Sequence, residues 1–593
     1  MPILQRRGSD LGVVLGVSLS HYGSACVFVD GEIKSAVLEE RLSRKKYEAG
    51  FPARSISKVL ESSGISPRDI DTVAIGTMCE MFDSNLARDR EYRVATSLVS
   101  FFSNFIPISI LETEWMTWLY QKIFHSYNRW NILHHYFDTF KELGISRRQI
   151  KFYDHHSCHA ATAYYASPWR DNVLIFTSDG NGDGYCGLVA LGQGDHWTPQ
   201  VKISSIHSLG GLYSRSTRLI GLVPWHDEYK VMGLAPWGER KKQADLVYKK
   251  FKEFWGASGL TYRNLCGYAC NSLLAFMRRS LHNPRFDYVA YAVQRVLEEI
   301  LAEWIKNNMA FFKLKKIALS GGIFYNIKAN KYIVEQTEPE DVFIFPTAGD
   351  ESISIGAAYL AYKELQQARN LPLDIKPIKD VYWGEEIADQ IEPALQNIDR
   401  ERYVVEYVND IEERIASLLA ANHIVAVCNS RMEYCPRALG NRSILANPSD
   451  LRNIERLNDT IKRRDFWMPF ALTVLKECEQ MYLVNPHHLP SHYMIMGFDT
   501  RPEKRNDIIA GIHQADKTVR PQILEQDFNP RFHSIISKFH KKTGIGAVLN
   551  TSLNLHGEPM VNLPSEALTL MAKSELQYLA LGNYLVTKKS PSP

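Results

Sequence analysis

Two histidines spaced four residues apart, His155 and His159, are the first residues in this chain whose spacing suggests chemistry. They lie at the start of an alanine- and tyrosine-rich run that predicts a helix, so both imidazoles project from one face about one turn apart. Such a pair binds a transition metal when further ligands come from elsewhere in the chain. His156 points away from the pair. Most histidine pairs of this kind bind no metal, so the other ligands decide.

Two aspartates that follow predicted strands are candidates for those ligands. The apolar run 172–177 predicts a buried parallel strand, and a glycine-rich loop containing Asp179 follows it. This loop begins like a calcium loop but has Ala190 where calcium binding needs a glutamate, so we reject calcium. The strand 342–346 leads similarly to Asp350. Because an α/β sheet gathers ligands at its strand ends, both aspartates join the candidate site.

Glycines at strand ends predict phosphate or nucleotide contacts. Gly321 and Gly322 separate the strand 317–320 from a helix start that contains Asn326, and bare backbone there can approach a phosphate. At the N-terminus, the strands 11–18, 25–29 and 32–38 enclose a polar turn that contains His21. This arrangement is typical of the phosphate-binding entry of actin-like ATPases, although plain hairpins share it. Lys230 is either a phosphate contact or a solvated lysine.

The second half of the chain concentrates cations among glycine, proline and hydrogen-bonding residues. Arg431, Arg437 and Arg442 stand close together in a pattern that is poor for a surface helix and good for clamping planar oxyanions. Further candidates lie near predicted strand ends, and they are Ser443, Lys462, Arg464, His513, Arg520, Asn550, Thr551, Ser552 and Asn554. This composition favours an anion or nucleotide site over structural salt bridges.

Length and composition limit the classes of protein that fit. With 593 residues the chain exceeds one core, since domains average about 150 residues. A net charge of +3 does not call for a nucleic-acid partner. The nine cysteines form no Cys-x-x-Cys pair, which argues against a disulfide framework and favours the cytoplasm. The most membrane-like run, 98–111, is too short to span a bilayer, so we expect no membrane partner.

Composition also divides the chain. The proline-containing stretch 366–380 shows little periodicity, and we place a domain boundary there, with domains at 1–378 and 379–593. Residues 80–150 are rich in aromatic side chains and predict a helical insertion. That insertion is where we expect contacts to a small-molecule acceptor, because such sites are largely apolar.

These motifs together resemble the NodU/TobZ family of O-carbamoyltransferases. The resemblance covers nearly the whole chain and lies at 39–41, 154–159, 228–236, 321–322, 349–350, 431–433, 436–446, 520–522 and 549–554. It implies an α/β protein whose first domain has the actin-like ATPase fold of TsaD-type transferases. The second domain would be a YrdC-like α/β domain that makes carbamoyl-adenylate from carbamoyl phosphate and ATP with Mg²⁺.

The resemblance also implies roles for individual residues. The metal ligands would be His155, His159, Asp179 and Asp350, usually with an iron-like divalent ion such as Fe²⁺. His21 would lie near the transferred group as a base or a phosphate contact, while Arg437, Lys462 and Arg520 would serve the activation chemistry. The carbamoyl group would pass to a hydroxyl of a small natural product. A homodimer stays open.

Three residues depart from the family pattern, and several alternatives stay open. Cys435 replaces a common glycine, Met468 a common arginine and Tyr22 a common aspartate. A nucleotide-binding scaffold without activity, a tRNA threonylcarbamoyl-type transferase and a sugar-kinase-like phosphotransferase are the alternatives. A hydrogenase-maturation carbamoyltransferase is disfavoured because it would carry Cys-x-x-Cys zinc fingers.

Overall fold

The computed structural model describes residues 12–78 and 108–589. These residues fall into two compact units, one that reaches as far as Ile378 and one that starts at Lys379, while the short segment Arg44–Lys46 groups with the second unit. Within the described residues, every helix is too short or too polar to cross a membrane.

The first sheet of the first unit begins with the predicted N-terminal hairpin. Its strands are β1 (Val13–Ser18), β2 (Ser24–Val29), β3 (Glu32–Leu38), β4 (Thr72–Gly76) and β5 (Ile150–Tyr153). Their order is β3-β2-β1-β4-β5. The first three strands form an antiparallel meander, and β4 and β5 run parallel to β1. Parallel neighbours need crossover connections, and helices of this unit supply them.

The second sheet repeats this topology. Its strands are β6 (Val173–Gly182), β7 (Tyr185–Gln193), β8 (His196–Ser204), β11 (Lys316–Ser320) and β12 (Asp341–Ile344), and a separate hairpin consists of β9 (Trp255–Ser258) and β10 (Thr261–Asn264). The order β12-β11-β6-β7-β8 again places three antiparallel strands beside two parallel ones. This duplicated sheet is the actin-like ATPase fold that the sequence predicts.

One strand boundary differs from the sequence prediction. β6 continues through the glycine-rich stretch to Gly182, because Gly182 pairs with Tyr185 of β7. Of the predicted 80–150 insertion, residues 80–107 lie outside the described residues, and much of the remainder is helical. The helices of this unit are α1 (Glu39–Ser43), α2 (Ala53–Ser63), α3 (Ile108–Leu111), α4 (Glu114–His135), α5 (Phe137–Glu142), α6 (His155–Tyr165), α7 (Leu209–Leu219), α8 (Glu228–Gly238), α9 (Lys242–Lys252), α10 (Cys270–Leu281), α11 (Phe286–Phe312), α12 (Ile327–Thr337) and α13 (Ile353–Ala368).

Close packing around α13 brings the two sheets' functional ends together. A Cβ atom on Gly356 would lie 2.1 Å from the backbone oxygen of Cys158 in α6. A Cβ atom on Gly16 in β1 would lie 2.0 Å from the backbone oxygen of Ser354. Only glycine permits these approaches, and Cys158 itself is a fully buried core residue.

The second unit is built on an eight-stranded mixed sheet with the order β13-β23-β22-β14-β15-β21-β16-β20. The strands of this unit, including the small sheet β17-β18-β19, are β13 (Tyr403–Tyr407), β14 (Val425–Cys428), β15 (Arg442–Ala446), β16 (Ala471–Leu475), β17 (Leu483–Val484), β18 (Phe498–Thr500), β19 (Thr518–Val519), β20 (Pro521–Leu524), β21 (Ala547–Ser552), β22 (Tyr578–Leu581) and β23 (Tyr584–Lys588). Its helices are α14 (Ala388–Gln396), α15 (Ile411–Ala420), α16 (Arg452–Leu457), α17 (Glu479–Tyr482), α18 (Pro530–Thr543) and α19 (Pro564–Lys573).

Candidate functional site

The histidine pair occupies the first turns of α6. The side chain of Asp154 caps this helix by accepting a hydrogen bond from the backbone N–H of Ser157 at 2.8 Å. The backbone N–H of His155 donates to the carboxylate of Asp183 at 2.8 Å. These two acidic groups stabilise the helix start. The rings of His155 and His159, one helical turn apart, meet edge to face with their centroids 4.8 Å apart.

Both predicted aspartates meet this pair. Asp179 lies in β6 and Asp350 begins a short 3-10 helix, and one ligand atom from each of the four residues lies within 4.8 Å of the others. His159 Nε2 is 3.1 Å from Asp179 Oδ2 and 3.8 Å from Asp350 Oδ1. His155 Nε2 is 3.8 Å and 3.6 Å from the same oxygens. Nitrogen and oxygen ligands around one divalent ion have comparable spacings.

Neighbouring groups orient the ligands. His159 Nδ1 faces the hydroxyls of Ser320 at 3.3 Å and Ser352 at 3.2 Å, which leaves Nε2 directed at the aspartates. The backbone N–H of Gly322 donates to Asp179 Oδ2 at 3.2 Å. Metal-binding residues are commonly held by such outer hydrogen bonds.

The electrostatics of the cluster favour a bound cation. Burial lowers the pKa of His155, but Asp350 and Asp179 outweigh it and raise that pKa to about 10. Burial by itself raises the pKa of Asp179, yet the facing imidazoles of His155 and His159 hold it well below its usual range. His155 Nε2 is buried without a hydrogen-bond partner among the described residues. Two imidazoles, two carboxylates and an orphaned nitrogen fit a divalent transition metal.

His156, the neighbour excluded by the helix geometry, has another contact. Its Nδ1 lies 2.8 Å from the hydroxyl of Thr177. Burial, together with His155 and His159, lowers its pKa to about 3. It is therefore a neutral core residue beside the cluster.

His21 lies at the edge of this cluster. Its ring stacks on Trp225, with centroids 4.8 Å apart and planes 29° apart. Burial lowers the pKa of His21, although Asp350 and Asp179 oppose this shift. Trp225 is 45% exposed, and a Cβ atom on Gly180 would lie 2.9 Å from its ring. The sequence reasoning missed Trp225, because a single tryptophan in a loop shows no pattern.

The remaining predicted nucleotide contacts of the first unit divide into two kinds. Gly321 has φ +109°, and a Cβ atom there would lie 2.3 Å from the backbone oxygen of Ser178, so only glycine fits the turn beside Asp179. Asn326 instead caps α12 and exchanges hydrogen bonds with Gln294. Lys230 Nζ lies 3.3 Å from Asp227. These last two side chains have protein partners.

In the second unit, four of the predicted cationic side chains lie close to one another. They are Arg437, Lys462, Arg464 and Arg520. Burial lowers the pKa of Arg520 well below its usual range, and the nearby Arg437 and Arg464 lower it further. Burial and the nearby Arg464 also lower the pKa of Lys462 well below its usual range. Within residues 12–78 and 108–589, neither Lys462 nor Arg520 has a carboxylate within ion-pair distance. A group of desolvated cations is the environment that a phosphate or carboxylate neutralises.

Hydrogen-bonding groups surround these cations. Lys462 Nζ donates to Asn554 Oδ1 at 2.7 Å and to the hydroxyl of Ser552 at 3.2 Å. Arg464 donates to the hydroxyl of Thr551 at 3.1 Å. The sequence predicted that Asn550, Thr551 and Ser552 follow a strand. In the structure they lie within that strand, β21. The sheet itself therefore presents these side chains.

The other predicted polar residues support loops. The Ser443 hydroxyl accepts from the backbone N–H of Gly440 at 3.0 Å. His513 Nδ1 lies 3.1 Å from Asp516 Oδ1. Both side chains are buried.

Two arginines of the predicted clamp bind backbone carbonyls. Arg442 is fully buried, and its guanidinium donates to the backbone oxygens of Asn429, Ser430, Asn441 and Asn562. Arg431 donates to the backbone oxygens of Trp383 and Gly384, both at 2.9 Å. Glu433, which the site prediction omitted, accepts from the backbone N–H groups of Leu439, Asn441 and Arg442. These three side chains hold the arginine-rich loop in shape.

Comparison with known proteins identifies the family. Residues 13–359 match the carbamoyltransferase N-terminus, and residues 416–588 match the carbamoyltransferase C-terminus. The chain belongs to the carbamoyltransferase family. The resemblance to the NodU/TobZ proteins that the motifs showed is thereby confirmed.

Relatives of this carbamoyltransferase extend over most of the chain. Nodulation protein NolNO of Sinorhizobium fredii is 30% identical over 97% of this chain and 80% of its own length. Nodulation protein U of Bradyrhizobium diazoefficiens is 25% identical over 92% of both chains. The 3'-hydroxymethylcephem-O-carbamoyltransferase of Streptomyces clavuligerus is 28% identical over 45% of this chain and 47% of its own.

Among solved structures, full-length HypF in its phosphate- and nucleotide-bound form aligns with 61% of this chain and 57% of its own. The TM-score is 0.30 and the sequence identity 11%. The fold assignment rests on the sheet topology of this carbamoyltransferase itself.

Proposed function

We propose that the protein is an ATP-dependent O-carbamoyltransferase that activates the carbamoyl group in its second unit and transfers it in its first. The observation that carries this proposal is the contrast between two charged sites. One combines imidazoles with carboxylates and suits a metal ion. The other combines Arg437, Arg464, Arg520 and Lys462 and suits polyanionic substrates.

The activation step would consume carbamoyl phosphate and ATP with Mg²⁺. Water cleaves carbamoyl phosphate to carbamate and phosphate, and a carbamate oxygen then attacks the α-phosphorus of ATP. Pyrophosphate leaves, and carbamoyl-adenylate remains. The cations of the second unit would neutralise the negative charge that develops on the phosphates, which is the main catalytic contribution that a protein makes to such reactions.

The transfer step would use the first unit. The oxygen of an acceptor hydroxyl attacks the carbamoyl carbon, and the bond to AMP breaks. His21 is kept neutral because burial lowers its pKa, so its ring can take the hydroxyl proton. His155, His159, Asp179 and Asp350 would hold a divalent ion such as Fe²⁺, which when bound supplies Lewis-acid stabilisation of negative charge.

Pyrophosphate release tests this function. Purified protein with ATP and carbamoyl phosphate should release pyrophosphate, and omission of carbamoyl phosphate should stop the release. A panel of hydroxyl-bearing natural products should then yield one product with the added mass of a carbamoyl group. ATP binding without pyrophosphate under any condition would contradict the proposal and favour a nucleotide-binding scaffold. Pyrophosphate that requires threonine and bicarbonate instead would favour a threonylcarbamoyl-type transferase.

A further inference from the structure

A tight turn between β6 and β7 places an aspartate carboxylate inside the first unit. Gly182 pairs with Tyr185, which leaves Asp183 and Gly184 as the two central residues of the turn. Their φ values are +52° and +89°, and a type I′ hairpin turn requires positive φ at both positions, for which Asp-Gly is a preferred sequence. Asp183 is only 1% exposed, so a residue type that usually lies at the surface of a turn is buried here.

The carboxylate of Asp183 holds the start of the helix that carries the histidine pair. Its Oδ2 accepts a hydrogen bond at 2.8 Å from the backbone N–H of His155, the first residue of α6. Backbone donors in the first turn of a helix have no partner within the helix, so an outside acceptor fixes them. Because the ring of His155 faces Asp179 and Asp350, the position of this backbone determines where the ring meets the two aspartates.

The same carboxylate binds the point at which the chain leaves β4 for the insertion. The backbone N–H of Met78 lies 3.0 Å from both oxygens of Asp183, and the hydroxyl of Thr77 donates to Oδ1 at 3.2 Å. Thr77 has φ +149°, a value that residues other than glycine rarely adopt. Strained backbone of this kind persists only where surrounding contacts hold it, and Asp183 supplies such contacts.

A further hydrogen bond connects Asp183 to α4 of the insertion. Gln121 Nε2 donates to the backbone oxygen of Asp183 at 2.9 Å. The other end of α4 is fixed by packing, since Ile132 belongs to the hydrophobic core around the first sheet. Asp183 therefore connects the helix of the histidine pair, the entrance to the insertion and the first half of α4.

We propose that Asp183 is a positioning residue that couples the insertion to the metal-type cluster, an inference that rests on the proposed metal site. The contacts to His155, Thr77 and Met78 converge on one carboxylate, so release of one of them weakens the others. Such coupling is reciprocal. A metal ion that fixes His155 also orders α4, and a looser α4 weakens the metal site. An acceptor that binds the insertion would thereby influence the geometry of the transfer site.

Asp183→Asn tests the positioning role. Whichever way the amide turns, its NH₂ group meets the N–H of Met78, because that N–H lies equally far from both oxygens. Zn²⁺ affinity, measured by competition with a chelator, should fall about tenfold or more. The absorption spectrum of the Co²⁺-loaded variant should also differ from wild type, because His155 is displaced and not removed. Loss of stability alone would leave the spectrum of the folded fraction unchanged.

Gln121→Leu tests the coupling from the side of the insertion. In wild type, Zn²⁺ should slow hydrogen exchange of the backbone amides in the first half of α4 about fivefold or more. This slowing should disappear in Gln121→Leu and in Asp183→Asn. The Zn²⁺ affinity of Gln121→Leu should fall about threefold, although the substitution leaves the four cluster residues and the Asp183 carboxylate in place.

Gln149→Leu is the matched control. Gln149 Nε2 also donates to a backbone oxygen, that of Ile70, at 2.6 Å, and it ties the other end of the insertion to the first sheet. Its replacement removes a hydrogen bond of the same kind at a site separate from the Asp183 turn. Zn²⁺ affinity and the Zn²⁺-dependent slowing of exchange in α4 should therefore match wild type.

The outcomes separate this coupling from the proposed function. Folded Asp183→Asn with wild-type Zn²⁺ affinity and Co²⁺ spectrum would overturn the positioning role. Exchange in wild-type α4 that does not respond to Zn²⁺, or equal losses of affinity in Gln121→Leu and Gln149→Leu, would overturn the coupling, and both measurements stand if Asp183→Asn does not fold.

Turnover gives the remaining distinction. Zn²⁺-dependent protection of α4 in a protein that forms neither pyrophosphate nor a carbamoylated product would contradict the proposed function alone. Wild-type protein that binds neither Zn²⁺ nor Co²⁺ would contradict both the proposed metal site and the coupling.

Discussion

The two units of this carbamoyltransferase hold buried charge in opposite ways. In the first unit, His155 and His159 face Asp179 and Asp350, so positive and negative groups alternate around one point. In the second unit, Arg437, Arg464 and Arg520 lie near one another and the sheet supplies neutral oxygens and amides. The first arrangement presents two carboxylates and two imidazoles to one point, whereas the second brings several cations close together.

The pKa shifts express this contrast. The pKa of His155 rises to about 10 because carboxylates surround it, despite its burial. The pKa of Lys462 falls because it is buried beside Arg464. A buried base with a raised pKa marks a place that retains positive charge, and a buried cation with a lowered pKa marks one that repels it.

Removal of a cation from the second unit should have the largest effect. Arg520→Met should lower pyrophosphate release about 10³-fold, because the developing phosphate charge loses a preorganised partner. Metal content should stay at the wild-type level. Arg452→Met is the control, since Arg452 is exposed and pairs with Asp450. More than a tenth of wild-type release in Arg520→Met would remove this residue from the activation site.

Removal of a carboxylate from the first unit should have the opposite pattern. Asp179→Asn should abolish metal binding and carbamoyl transfer, because it removes one of two negative ligands that His155 and His159 face. Pyrophosphate release should stay within about twofold of wild type, since uncoupled sites affect each other little. Elemental analysis and the pyrophosphate assay on one sample measure both. A parallel loss of pyrophosphate release would show that the two chemistries are not divided as proposed.

A smaller change should weaken the metal site without removal of a ligand. A Cβ atom on Gly182 would lie 2.2 Å from the ring of His155, so Gly182→Ala must displace that ring. Metal affinity should fall about 10–100-fold, as it does when other supports of a ligand are lost. Gly256→Ala, where the nearest contact is a leucine methyl group at 3.2 Å, should bind metal normally. Equal titration curves for both variants would contradict the assignment of His155.

Replacement of Arg442, which binds backbone carbonyls, and replacement of Arg437, which lies in the cation cluster, should affect the stability of the second unit differently. Arg442→Met should lower the free energy of unfolding of this unit by about 3 kcal/mol or more, because it leaves backbone carbonyls buried and unpaired. Arg437→Met should change stability much less and should lower pyrophosphate release. Urea unfolding followed in the second unit, beside the activity assay, measures both. The reverse pattern would exchange the structural and ligand-binding roles.

The smallest expected effect is the release of a proton from His155 when a metal ion binds. Below about pH 10, His155 in the metal-free protein carries a proton that a bound cation must displace. Metal binding at pH 8 should therefore release about one proton, measured by calorimetry in buffers of different ionisation enthalpy. Because this pKa is higher in the folded protein, protonation of His155 contributes fully to the free energy of unfolding below about pH 6.5. That contribution is lost as the pH rises through about 10. Proton-neutral binding would contradict this description of the cluster.

Local patterns in the chain were enough for several elements of this fold. The spacing of His155 and His159, the glycines at 321 and 322 and the short apolar runs predict helix α6, the turn after β11 and strands β1, β2, β3, β6, β11 and β12, because these depend on neighbouring residues. Family motifs then indicated the actin-like topology and all four members of the metal-type cluster. Boundaries erred where pairing with another strand extended a strand, as in β6 and β21.

Side-chain direction and long-range encounter depend on packing instead. Arg437 and Arg442 look equivalent in sequence. In the structure Arg437 joins the cation cluster, whereas Arg442 donates its hydrogen bonds to backbone carbonyl oxygens. Asp350 reaches His155 only because glycines let α13 pack tightly on α6 and β1. Asn550 and Gln522 are joined through the hydroxyl of Thr473 only once β21, β16 and β20 align. Sequence periodicity reports which face a residue occupies, but the partner across that face comes from hydrogen bonds and contacts between distant segments.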